Sequence, residues 1–421
     1  MNAASAQGDR LLLPPGPSDN VVAQTLGFHR DPLGYLRSCQ ETFGDVFTLR
    51  LLTVRPTVVV ADPDAVLALQ EADPATAQAG AARREVLPFA PAPSVFAGDG
   101  EGHDGPRRRI APALAAETMA ARRSAMSEIA ARQATRWPRG RPFALLPRLR
   151  EVTDEIFVRL VLGVRDEEIV TALTGSIQRM LRTPGNPPST LPGEGDGLVG
   201  ALGERLFRWR AGPLERDLAR AVEARRGEPD GEQPDVLGCM VGAEPPLGTP
   251  AIVAELLSLL MAAQEPPAIA LAWILDRLAR EGEREVAEPL ADETLRLQPP
   301  ASASLRKLTA PFEAGGHRIP AGIGTMIPSL LLQRDPRAYE QPDEFRANRH
   351  RDAPPSPHFF PFGGGGRRCV GEPLARAEIA TVPRTVLENV QLRSLGPEPE
   401  PMVQRATVLV PKRGLLAEIA A

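Results

Sequence analysis

The spacing of apolar residues is helical over most of the chain. From Pro106 to about Met240 it predicts helices near Arg107 to Leu114, Glu117 to Trp137, Leu146 to Leu162, Glu167 to Leu181 and Val199 to Arg226. Strand-like runs are short and flank this region: Asp45 to Leu52 and Thr57 to Ala61 before it, Leu305 to Phe312, His317 to Ile319 and Thr325 to Ile327 after it. Asp62-Pro63-Asp64 opens a helix through Leu69, and Thr249-Pro250 opens a long apolar helix, Ala251 to about Arg280. Ala287 to Leu297 and Pro373 to about Asn389 complete the predicted helices. The pattern predicts a mainly α fold with a smaller β-rich lobe.

Two segments interrupt the pattern. Pro74 to Gly100 reads as a long loop with small helical pieces, and residues 183–198, poor in apolar anchors, read as a lid loop because helical spacing resumes on both sides. Within the long apolar helix, Glu255, Gln264 and Glu265 argue against a membrane span, and Pro266-Pro267 falls in its middle. A proline inside a helix costs about 3 kcal/mol and removes a backbone donor. A kink is expected there.

Composition narrows the function classes. The 421 residues allow one large domain or several, and 49 basic against 53 acidic residues give a net charge of -4, without the basic footprint of a nucleic-acid binder. Only Lys307 and Lys412 are lysines, so a lone arginine means little unless a motif fixes it. Cys39, Cys239 and Cys369 are odd in number and have no paired spacing, which argues against a disulfide scaffold or zinc cluster and fits a reducing cytoplasm. Met1 to Arg10 lacks a signal-peptide pattern and is expected to be disordered with the next two residues, so the protein is expected to be soluble.

The most informative segment is Pro361-Phe362-Gly363-Gly364-Gly365-Gly366-Arg367-Arg368-Cys369-Val370-Gly371-Glu372-Pro373. No Gly-Lys-Ser/Thr ends the glycine run, which disfavours a nucleotide loop. Cys369 stands just before a helix, where free N–H groups and the helix dipole favour a thiolate, with Arg367 and Arg368 adding positive charge. No His-Asp or His-Asn pair is placed for a nucleophile. As a metal ligand the sulfur has no second soft partner, so the other ligands would come from a cofactor; haem iron is such a metal.

The pattern Phe362-x-x-Gly365-x-Arg367-x-Cys369-x-Gly371 resembles the haem-binding signature of the cytochrome P450 family, with every position matched. Glu293-Thr294-Leu295-Arg296 is similar to the family's Glu-x-x-Arg helix, and Arg349 to the third member of that structural ion network. The resemblance implies one domain over residues 1–421, haem b with Cys369 as axial iron ligand, and a cofactor site that includes Phe362, Gly365 and Gly371. It also implies that His103, Arg107, Arg306 and Arg367 meet the haem carboxylates. It further implies a mainly hydrophobic small-molecule substrate near Phe89, Val95, Phe96, Leu259, Met261, Ala262 and Ala301 to Ser304, most of which are apolar or small. Electrons would come from a separate ferredoxin or flavodoxin with its NAD(P)H-dependent reductase, docking on an Arg-rich face that includes Arg108 and Arg109.

One departure stands out. Where the family usually carries Ala/Gly-Gly-x-Asp/Glu-Thr, this chain has Ala262-Ala263-Gln264-Glu265-Pro266-Pro267. Glu265 keeps the acid and is the expected proton relay; Pro266 replaces the hydroxyl-bearing Thr. Three readings stay open: hydroxylation with a substrate hydroxyl or ordered water in the Thr role, a different oxidation such as desaturation, epoxidation or ring coupling, or a weakly active haem or ligand binder. A role in secondary metabolism is a further implication of the resemblance.

Overall fold

The computed structural model describes residues 13–52, 54–86, 94–182, 198–228, 231–282, 288–351, 356, 358–396, 398–405 and 407–420. The expected disordered start, almost all of the expected lid, and Phe89 lie outside the described residues.

The chain opens with two helices, α1 (Val21–Arg30) and α2 (Pro32–Phe43), that the apolar pattern did not predict. Between them they bury only Gln24, Phe28, Pro32, Leu36 and Cys39, too few for a clear stripe. Their ends are set by chemistry instead: Asn20 accepts from Ala23 N at 2.9 Å, and Asp31 accepts from Gly34 N at 3.0 Å with Pro32 in the first turn. Strands β1 (Val46–Leu51) and β2 (Val54–Val60) follow, then α3 (Pro63–Glu71), capped by Asp62 as expected. The Pro74 to Gly100 stretch holds β3 (Ala77–Gln78) and α4 (Ala79–Val86).

The helical body comprises α5 (Glu101–Ile110), α6 (Ala116–Ala121), α7 (Arg123–Ala134), a short β4 (Phe143–Ala144), α8 (Leu145–Ile156), α9 (Glu167–Arg182), α10 (Leu198–Arg226) and α11 (Val236–Val241). The predicted Glu117 to Trp137 helix is thus two helices. The long apolar stretch is also two, α12 (Thr249–Ala263) and α13 (Glu265–Glu281), separated at Gln264. It is long and apolar enough to cross a membrane, but most of it is buried within the protein. Next come α14 (Glu288–Leu297), β5 (Ser304–Leu308), β6 (Phe312–Ala314), β7 (His317–Ile319), β8 (Gly324–Ile327) and α15 (Ser329–Leu332). Helix α16 (Glu372–Asn389) and strands β9 (Leu392–Ser394), β10 (Met402–Arg405), β11 (Val408–Pro411) and β12 (Leu416–Ile419) close the chain.

Residues from both ends build the β lobe, a five-stranded sheet in the order β1-β2-β8-β5-β3. Only β2 and β8 are parallel, with Thr57 opposite Gly324. Its core (Phe47, Leu49, Val58, Val60, Ile327) is distinct from the larger helical core around Leu149, Ile156, Ile274 and Val386. A third small cluster joins Val86, Ala97, Phe96, Met261 and Leu305, so that α4, the 94–99 segment, α12 and β5 meet between the lobes.

The prolines fall differently from expectation. Pro266 and Pro267 lie in the first turn of α13, where a missing N–H costs little. Among the described residues the interior helix prolines are Pro106 in α5, Pro213 in α10 and Pro383 in α16.

Candidate active site

Cys369 closes a tight loop. Its N–H donates to Phe362 O at 2.9 Å, and Gly363 N donates to Phe360 O at 2.9 Å. Gly365 has φ 59°, a left-handed backbone that glycine adopts without strain. The loop presses on α3 so closely that a Cβ on Gly365 would sit 2.0 Å from the Gln70 carbonyl oxygen, and one on Gly364 1.7 Å from Gln70 Oε1. Close backbone approach therefore accounts for these glycines. The Phe362 ring lies under the Arg376 guanidinium, and Gly371 precedes α16 and directs its N–H at the Cys369 sulfur.

The sulfur's surroundings pull in two directions. Burial raises the Cys369 pKa, and it outweighs the Gly371 N–H and the cations Arg83 and Arg107 that favour thiolate. The adjacent arginines point elsewhere: Arg368 pairs with Glu372 at 2.7 Å, and Arg367 donates to Gly98 O at 2.9 Å. Cys369 lies deep among protein atoms yet presents surface to open space.

Around that space the structure gathers cations. Arg306, 3% exposed on β5, donates to Leu305 O at 2.9 Å. Arg83 of α4, which no motif had singled out, donates to Phe96 O at 3.0 Å and lies over the Phe96 ring at 4.7 Å. Arg107 donates to Arg368 O at 2.8 Å, and His103, buried on α5, has Nδ1 2.8 Å from Asp104 Oδ1. Burial first, then mutual repulsion, pushes Arg83, Arg306 and Arg367 each down to about 10. Burial and Arg367 likewise lower His103.

Asp99 is the carboxylate that all three arginines sense, and it already accepts from Gly80 N and Ala81 N, both at 2.7 Å. Buried charges are normally paired. A cation surplus facing one sulfur therefore fits an anionic group that carries carboxylates and brings its own metal ligands. Among the described residues no cluster of three or more His, Cys, Asp or Glu could hold a bare metal ion.

In a continuous helix the N–H groups of residues 266 and 267 would bond the carbonyls of Ala262 and Ala263; both residues are prolines and have none to give. Ala262 and Ala263 are half-buried, whereas residues 255–260 before them are buried. Glu265 is pinned by Arg150 of α8, whose Nη2 donates to Glu265 Oε2 at 2.5 Å. The Gln264 amide, 2% exposed, finds no hydrogen-bond partner among the described residues.

Of the expected pocket wall, the structure brings together Phe96 and Met261, adds Leu305, and packs Val95 and Leu259 into the helical core. Ala303 joins the β-lobe core. The 94–97 backbone is strapped to α12: Val95 N donates to Glu255 Oε1 at 2.9 Å, and Ser258 and Ser94 share a 2.9 Å hydroxyl bond. Burial pushes the Glu255 carboxyl up to about 7.

Arg107, Arg123, Arg376, Met119 and Glu372, together with Cys369, line a pocket of about 540 Å3. Arg108, expected on this face, instead pairs with Glu101, and Arg109 faces Glu255.

The expected ion network is present and buried. Arg296 grips Glu293 through two bonds of 2.7 and 2.9 Å, and Arg349 Nε reaches Glu293 Oε1 at 2.9 Å. Arg296 also donates to Gln333 O and Pro342 O, both at 2.7 Å, which ties the meander before the Cys369 loop to α14. His350 is a fourth member, 3.3 Å from Glu293 Oε2. Burial opposes its charge, but hydrogen bonds from Arg296 and Arg349, with His350 close by, hold Glu293 down at about 2. Removing one partner of so buried a pair costs about 3–5 kcal/mol.

A family model described as cytochrome P450 matches residues 283–417. Over its whole length the chain is 30% identical to a protein of Mycobacterium tuberculosis and Mycobacterium bovis named cytochrome P450 135B1, covering 93% of it. It is 29% identical to one named cytochrome P450 138 from the same two species, over 96% of this chain and 95% of that protein. Among solved structures, retinoic acid bound cyanobacterial CYP120A1 aligns with TM-score 0.78 at 22% identity, over 97% of this chain and 99% of that one. The cytochrome P450DA heme domain aligns with TM-score 0.76 at 19% identity, over 97% of each chain.

Proposed function

The chain belongs to the cytochrome P450 family of haem-thiolate monooxygenases, and we propose that it uses haem b, dioxygen and two electrons to oxidise a mainly hydrophobic small molecule. The observation that carries this reading is the surplus of buried cations around Cys369. Cys369 would ligate the iron, Phe362, Gly365 and Gly371 would shape its loop, and His103, Arg107, Arg306 and Arg367 would meet the haem carboxylates. When bound, haem with a thiolate ligand supplies dioxygen activation of the kind that favours O–O cleavage.

The chain's own residues supply protons and position. Pro266 and Pro267 have no N–H to give the carbonyls of Ala262 and Ala263, which in this reading serve as two adjacent acceptors for a water or a substrate hydroxyl that takes the role of the missing Thr. Glu265, held by Arg150, is the proton donor to that water. Phe96, Met261 and Leu305 exclude solvent and receive apolar substrate. The absence of a hydroxyl at position 266 also supports a second reading: an oxidation such as desaturation, epoxidation or ring coupling, or binding of haem and ligand with little turnover. Product analysis with a competent electron donor separates these, since hydroxylated, unsaturated and unchanged substrate are distinct outcomes.

For partners, we assign a separate ferredoxin or flavodoxin, with its NAD(P)H-dependent reductase, to the pocket lined by Arg107, Arg123, Arg376 and Cys369, where an acidic carrier finds complementary charge. A cytoplasmic setting in secondary metabolism accords with the unpaired cysteines and apolar pocket wall. The ligand assignment is tested by carbon-monoxide spectra of the reduced protein. Wild type should give a thiolate-type spectrum and Cys369→Ala should lose it; an unchanged spectrum in the variant overturns Cys369 as ligand.

A further inference from the structure

We propose that Arg83 is a fifth group that binds the haem carboxylates, and that the same guanidinium fixes Phe96 in the substrate wall. The inference rests on the haem reading above. Arg83 comes from α4, outside every motif position matched to the family, so only the fold brings it to the site.

Geometry leads to this role from two directions. Arg83 Nη1 and Arg367 Nη2 approach the same carbonyl oxygen, that of Phe96, at 3.0 and 3.5 Å, so two guanidinium groups converge on one acceptor. Arg306 adds a third charge beside them, with no ion pair of its own among the described residues. The carbonyls of Phe96, Gly98 and Leu305 are neutral, and one Asp99 already engaged by Gly80 and Ala81 does not balance three buried cations. A pair of carboxylates does, and Arg83 is held ready for one: its ring contact with Phe96 and its bond to Phe96 O fix the planar fork, so little side-chain freedom is left to lose on binding.

The neighbouring Arg84 supplies the contrast. It donates to Ala97 O and lies 3.7 Å from Asp99, so it braces the same segment from the same helix, but it has a carboxylate partner and, unlike Arg83, is not among the charges that bear on Cys369. Bracing and carboxylate binding are therefore separable by mutation.

The test is the rate at which holoenzyme gives up haem to excess apomyoglobin, for wild type, Arg83→Gln, Arg83→Lys and Arg84→Gln. Loss of one charge-assisted hydrogen bond predicts roughly ten- to hundredfold faster release from Arg83→Gln. Arg83→Lys should fall between it and wild type, and Arg84→Gln should stay within about threefold of wild type, the margin expected for a contact that only braces the backbone. Wild-type release from Arg83→Gln overturns the assignment, as does equal acceleration in Arg84→Gln, which would make the effect one of bracing. If Arg83→Gln yields no holoprotein, Arg83→Lys decides: retained haem supports the charge role, and failure of the lysine variant as well overturns it. A wild-type protein without haem or a thiolate spectrum would instead refute the cofactor reading itself.

Discussion

Glu265 shows what a residue's partner adds to its identity. The sequence places an acid next to the missing Thr; the fold adds Arg150, which arrives from α8, 115 residues earlier, and points the carboxylate. A general acid or base contributes about 10²- to 10⁴-fold to rate. Glu265→Gln keeps the shape and the Arg150 contact but cannot pass a proton, so turnover should fall at least about tenfold and more reductant should end as peroxide. Arg150→Gln should retain part of the rate, because the carboxyl remains but is no longer aimed. Wild-type rate and peroxide yield in Glu265→Gln would remove it from the relay. Residues at fixed spacing, such as Cys369, Arg367 and the Glu293–Arg296 pair, were legible because their neighbours in sequence are their neighbours in space. Arg83, Arg150 and His350 were not, since each is selected only by tertiary packing and a chain with two lysines offers arginines everywhere.

At the scale of elements, prolines carry the clearest lesson. Pro266-Pro267 looked hostile to a continuous helix, and the fold resolves the conflict by ending α12 at Ala263 and starting α13 at Glu265. Residue type predicted a distortion there, but not that both prolines would become favourable first-turn residues. Pro106, Pro213 and Pro383 escaped notice inside helices because surrounding apolar positions keep their period, and burial holds the helix together despite a lost bond. The break also has a chemical consequence that can be measured. Pro266→Ala returns an N–H to the Ala262 carbonyl and adds no hydroxyl, so it should close one acceptor and raise peroxide per reductant consumed. Pro266→Thr returns the N–H together with a hydroxyl and should bring peroxide back toward the wild-type yield. Equal peroxide from wild type and Pro266→Ala would show that the freed carbonyl has no part in oxygen chemistry.

Over the whole molecule, buried acids set how stability responds to pH. Glu378 of α16 is 2% exposed, one of its oxygens has no hydrogen-bond partner, and burial alone pushes its pKa up to about 8. The unfolded chain releases this proton near the ordinary glutamate range of about 4.3. Between these values the folded state binds more protons than the unfolded one, so stability falls as pH rises and the contribution is fully present only below the unfolded pKa. Glu255, raised to about 7, acts in the same direction. Glu293 acts oppositely: held at about 2, it stabilises above the unfolded pKa and is lost as pH falls through 2. These groups together place their greatest stabilisation near the ordinary glutamate range, at about pH 4 to 5. Glu378→Gln removes the largest of the alkaline penalties, so its stability relative to wild type should grow by on the order of 2–4 kcal/mol between pH 5 and pH 8. Thermal unfolding of both holoproteins at the two pH values measures this. A difference that is the same at pH 5 and pH 8 would mean that Glu378 does not hold its proton in the fold, and that the helical core admits water at α16.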